Sequence, residues 1–134
     1  MNIVDFIYNG YHQLKLDKDM LRNFVDSYKD KFLIEYKDGN VTLVLFYLNI
    51  TDETLQDLVD KKINIADEIV FKQCLSEEGN NIHFGFVVGK GMRPILKNLK
   101  LLIKKNQPNT VSWYEPNMKR LQLFNTRRKL CHKP

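Results

Sequence analysis

Apolar residues along this chain fall into two periods. Met20, Leu21, Phe24, Val25 and Tyr28 recur at helical spacing, and Asp17 stands where it can cap a helix running to about residue 31. An earlier aromatic run, Ile3, Val4, Phe6, Ile7, Tyr8 and Tyr11, predicts a short helix ending near Gly10. Residues 32–36 and 41–48 are rich in β-branched and aromatic side chains around Asp38-Gly39, which predicts a hairpin. Thr51, followed by Asp52 and Glu53, caps the next helix, whose apolar face is Leu55, Leu58 and Val59. The passage 67–76 leans towards helix, and 76–81 reads as a loop.

Residues 83–88 read as a strand that runs into Gly89-Lys90-Gly91-Met92-Arg93-Pro94. A helix follows to about Lys105, with Ile95, Leu99 and Leu102 on one face and Pro94 in its first turn, where a missing N–H has no partner to lose. Gln107-Pro108-Asn109 ends it, 111–115 is the next strand, and Pro116-Asn117 opens a final basic element through Lys129. A strand–helix–strand passage of this length places its strands parallel with a right-handed crossover. With the hairpin, it predicts a single α/β sandwich domain with a mixed sheet and a flexible basic tail from about residue 130.

The 134 residues suffice for a full core without disulfides or metal. Cys74 and Cys131 form neither a CxxC pair nor a disulfide framework, which fits a reducing, cytoplasmic setting and no metal site. The N-terminus lacks the pattern of a signal peptide, and the most apolar stretch, 41–50, is far shorter than the roughly 20 residues needed to span a bilayer. No membrane association is expected.

Charge changes the picture. Residues 1–80 carry nine Lys/Arg against fifteen Asp/Glu, a net of −6, whereas 81–134 carry twelve against one, Glu115, a net of +11. The basic part suits a polyanion: nucleic acid, a phosphorylated cofactor or an acidic partner protein; otherwise it is a solvated face. Arg127, Arg128 and Lys129 are candidates for non-specific nucleic-acid contact, without any recognisable base-reading motif.

The glycines of Gly89-Lys90-Gly91 allow close backbone approach, the following helix offers free amides, and Lys90 and Arg93 add charge. Together they suit a phosphate or pyrophosphate. The spacing matches neither the Walker loop nor GxGxxG. The order strand, Gly-Lys-Gly-Met loop, helix, strand and Asn-led terminal element resembles the GNAT family of N-acetyltransferases. That resemblance implies a GNAT-like fold, acetyl-CoA or another acyl-CoA as cofactor, and Val88, Gly89, Lys90, Gly91, Met92 and Arg93 as the cofactor loop. It also makes Asn117 the start of a last helix that reaches Phe124. The sequence departs from the family where Val88 replaces the leading Arg or Gln, Arg93 the last glycine, and Phe124 the thiolate-protonating tyrosine.

An aromatic run that reaches a histidine (Phe6-Ile7-Tyr8 to His12), a helix and hairpin (Lys31 to Leu48), Leu48-Asn49-Ile50-Thr51-Asp52-Glu53 opening a helix, and the glycine-ended Phe86-Val87-Val88-Gly89 follow an order similar to the toxin-activating lysine acyltransferases, a branch of the same fold. That likeness sets His12 at the branch's essential histidine and implies an acyl group delivered by acyl-CoA or an acidic acyl carrier protein. The branch's aspartate would fall near Gly85 and is absent. His83 is the other candidate base. Tyr114 and Glu115, at the end of a strand, are candidates for the amine substrate. The two resemblances imply transfer of an acyl group to an amine. The alternatives are a catalytically inactive GNAT-like binding or structural protein, or a small basic nucleic-acid-binding protein.

Overall fold

A computed structural model describes residues 2–10, 17–89, 91–114 and 120–126. Its elements are α1 (Ile3–Gly10), α2 (Lys18–Ser27), a 3-10 turn (Lys29–Lys31), β1 (Phe32–Lys37), β2 (Asn40–Ile50), α3 (Asp52–Val59) and α4 (Glu68–Ser76). They continue with β3 (Asn81–Gly89), α5 (Met92–Asn106), β4 (Thr110–Tyr114) and β5 (Leu121–Asn125). The fold is α/β, and its five strands form a mixed sheet in the order β1-β2-β3-β4-β5. Contacts group the chain into two compact units, Met1–Phe46 with Phe86–Leu102, and Tyr47–Gly85 with Ile103–Pro134.

In the first unit Asp38 and Gly39 take φ of 53° and 80°, which closes β1 and β2 as a two-residue hairpin. Phe32 pairs with Phe46 and Glu35 with Leu43, so side chains alternate between two faces. On one face Phe24 of α2 packs against Phe46 (ring centroids 5.2 Å apart) and Phe32, and Phe86 stacks on Phe46 at 5.3 Å. On the other, Asn98 of α5 donates to Glu35 Oε2 at 2.6 Å. Covering on both faces explains why Leu43, Val44, Leu45 and Phe46 are all buried. Asp17 caps α2 by accepting from the Met20 amide. The helix ends at Ser27, earlier than its pattern predicts, because Tyr28 leaves helical geometry (φ −125°, ψ 38°) while its ring rests on Phe24. Met20, expected on the buried face, is 54% exposed.

In the second unit β3 and β4 run parallel, as their crossover predicts, from Asn81 opposite Thr110 to Phe84 opposite Trp113. The passage 68–76 is helical, capped by Asp67, and the strand after it starts at Asn81, two residues earlier than its apolar run suggests. The expected last helix is corrected. Leu121–Asn125 is a strand, antiparallel to β4 from Tyr114–Leu121 to Thr110–Asn125. Leu121-Gln122-Leu123 alternates at period two, and β4 offers a free edge whose backbone groups need partners.

Candidate anion-binding turn and polar ladder

The turn that follows β3 belongs to the first unit. Gly89 and Gly91 take φ of 147° and 93°, conformations that favour glycine. Their surroundings differ. A Cβ at Gly89 would lie 2.8 Å from the Thr42 carbonyl oxygen and 2.7 Å from Leu43 Cδ1, so this glycine lets β3 pass close to β2. Among the described residues beyond its chain neighbours, a Cβ at Gly91 would meet only Pro94, its nearest atom at 3.4 Å, so the space immediately beside it is open. Pro94 stands in the first helical turn, where the amides have no intrahelical acceptor. Arg93 is exposed and Val88 is buried, at the point where a Cβ on Gly10 would strike its side chain. Met92 begins the helix; Lys90 lies outside the described residues.

The second unit holds a ladder of buried polar side chains across β3 and β4. Asn81 donates through Nδ2 to Asp52 Oδ1 (2.8 Å) and to the Ile50 carbonyl (3.2 Å), and its Oδ1 accepts from Thr110 at 2.8 Å. Two residues on, on the same face, His83 Nδ1 is hydrogen-bonded to Ser112 Oγ at 2.8 Å. The Tyr114 ring meets the His83 ring edge to face, centroids 5.6 Å apart. Burial lowers the His83 pKa to about 4 and raises that of Tyr114. His83 is therefore neutral near pH 7 and 1% exposed, which favours a structural role. Among the described residues no buried side-chain nitrogen or oxygen lacks a partner, and no His, Cys, Asp or Glu cluster is arranged to hold a metal.

The structure therefore brings Gly89, Gly91 and Arg93 together at one helix start and sets Tyr114 beside His83. His12, Glu115, Arg127, Arg128 and Lys129 lie outside the described residues. Trp113, an aromatic residue of the kind that usually packs in a core, is 37% exposed. Sequence reasoning missed Asn81, Thr110 and Ser112. Their signal is polar residues at i and i+2 in two apolar strands joined by one helix, Asn81/His83 and Thr110/Ser112. No helix among the described residues is long and apolar enough to cross a membrane. No protein-family model matches the chain, and no curated protein is significantly similar to it. The acyltransferase resemblance rests on the residues alone.

Proposed function

We propose that this chain is an acyltransferase-like protein that binds the phosphates of an acyl-CoA, or of an acyl carrier protein's prosthetic arm, at the start of α5. It would hand the acyl group to an amine. The observation that carries this reading is Gly91. Its backbone conformation favours glycine, and among the described residues the space beside it is open enough for a ligand to approach the first amides of α5. The free amides of the first turn of α5 supply partial positive charge there, and the exposed Arg93 of the same turn supplies a full one. An open groove of about 460 Å³ in the same unit has an apolar side, Ile3, Val4, Val25, Phe32 and Ile34, that an acyl chain could use, and a polar side of Asn2, Arg22, Asp26 and Lys29. Under this reading His12 is the base, because His83 is buried out of reach of a substrate and its lowered pKa makes it a weak base. A non-catalytic binding protein with a GNAT-like fold is the second reading. It is favoured by that same state of His83 and by the lack of a carboxylate at Gly85.

Calorimetry against acetyl-CoA and longer acyl-CoAs tests the binding. Heat and a thermal shift at sub-millimolar ligand are expected, and their absence at millimolar ligand defeats both readings. If binding holds, His12→Ala separates the two. Enzymatic transfer should fall about 100-fold with stability intact, whereas the second reading predicts no transfer by the wild type.

A further inference from the structure

α5 carries a second feature, of which phosphate binding at its start uses only Arg93. Arg93, Lys97, Lys100 and Lys104 are all exposed. Their spacings of four, three and four residues set them within about 40° of one line along the helix, a row about 16 Å long. Lys105 lies to one side, and the helix, MRPILKNLKLLIKKN, contains no acid to offset them. The ion pairs seen among the described residues use Lys18, Arg22, Lys29 and Lys72, and none reaches this row. Like charges at i,i+3 and i,i+4 repel and weaken a helix. A bound polyanion would reverse the sign of that effect.

The opposite side of α5 is occupied: Leu102 is buried and Asn98 is bonded to Glu35. An interfacial membrane helix buries its apolar face in the bilayer, and the apolar face of α5 is already committed to the protein. Leu96 and Leu101 are 46% and 56% exposed. They stand about 60° and 80° away from the row of cations, so on a flat bilayer the cations would touch first and hold both leucines clear. A narrow line of cations with no base-reading side chains instead fits a strand of regularly spaced phosphates.

We infer that the outer face of α5 is a sequence-independent contact for the phosphate backbone of nucleic acid, made by Lys97, Lys100 and Lys104 with Arg93 at its end. Anisotropy of a short fluorescent DNA duplex of arbitrary sequence, titrated across a salt series, tests it. Four contacts give a log–log slope of roughly −3 to −4, and replacing Lys97, Lys100 and Lys104 by Gln should flatten it by about 3. The same replacement should weaken low-salt affinity at least about tenfold. Exchanging Lys61, Lys62 and Lys72 for Gln removes the same charge from other exposed positions and should leave both quantities near the wild-type values. Unchanged far-UV circular dichroism confirms that the variants fold. Equal losses in the two triple variants would reduce the effect to net charge and overturn the assignment. So would a loss that follows only Arg127, Arg128 and Lys129, or binding to phosphatidylserine vesicles without binding to duplex.

Discussion

Nδ1 of His83 lies 2.8 Å from Oγ of Ser112 across the parallel β3–β4 pair, with both side chains buried. The burial of His83 couples the sheet to pH. In the folded chain the His83 pKa is lowered by burial from 6.5 to about 4, so between these values the unfolded chain takes up the proton first. The contribution is complete above about pH 6.5 and shrinks as pH falls towards 4. The loss reaches about 3 kcal/mol, since each pKa unit corresponds to about 1.4 kcal/mol. Urea unfolding of wild type and His83→Gln at pH 7 and pH 4 isolates it. The wild type should lose about 2–3 kcal/mol more than the variant; parallel losses would show that His83 does not titrate differently on folding. Ser112→Ala should cost about 1–3 kcal/mol at pH 7 by leaving a buried ring nitrogen unpaired.

Glu77 closes the start of α3 from a distant point in the chain. Its Oε1 accepts from the Thr51 amide at 2.9 Å and its Oε2 from the Thr54 hydroxyl at 2.8 Å. This completes a capping arrangement in which the acid comes from 26 residues downstream of Thr51 instead of from the helix itself. Glu77→Ala should lower stability by about 1–2 kcal/mol, and Glu77→Gln by less, since one amide oxygen remains to accept. Equal melting temperatures for the wild type and the Ala variant would show that the cap contributes nothing.

The features legible in the sequence are those whose cause is local. Asp17 and Thr51 cap the helices that follow them, Asp38-Gly39 turns a hairpin, and the apolar spacing of 93–105 places α5 and its parallel strands. Features set by distant partners were hidden. Asn81 reads as loop because it is polar, and it is a strand residue because Asp52, Ile50 and Thr110 satisfy its amide. Gly79 reads as a flexible loop position, yet a Cβ there would fall 2.0 Å from the Ile50 carbonyl oxygen. Residues 121–125 join the sheet because β4 has an edge to fill, and nothing within the segment announces that edge. At the candidate site the two glycines look equivalent in sequence, and only packing separates them.

Cys74 should be chemically quiet. Burial, reinforced by the negative charge of Glu77, pushes its thiol pKa up to about 11. At pH 8 only about one molecule in a thousand would carry the reactive thiolate, and that one is shielded. In a Cys131→Ser background, labelling by a thiol reagent should be slow in buffer and accelerate across the urea unfolding transition. Rapid, stoichiometric labelling of the native protein would contradict the buried placement.

Gly89 and Gly91 should respond in opposite ways to the same added methyl group. At Gly89 a Cβ meets the Thr42 carbonyl and Leu43, parts of a buried neighbouring strand that have little freedom to move. Gly89→Ala should therefore cost about 3 kcal/mol or more, combining overpacking with a strained φ. At Gly91 the added atom reaches nothing nearer than Pro94 Cδ at 3.4 Å, so the cost is the positive φ alone, about 1–2 kcal/mol. Ligand binding should show the reverse order. Gly91→Val places a branched side chain in the open space above the amides of α5 and should abolish coenzyme A binding while the protein still folds. Arg93→Ala should weaken binding by a smaller step, about 1–3 kcal/mol, because the amides remain. Thermal unfolding and calorimetry on the wild type and these four variants give both orders in one experiment. If Gly91→Val binds coenzyme A as the wild type does, the opening beside α5 is not where the phosphates sit. If Gly89→Ala is as stable as Gly91→Ala, the close approach of β2 and β3 does not constrain the turn.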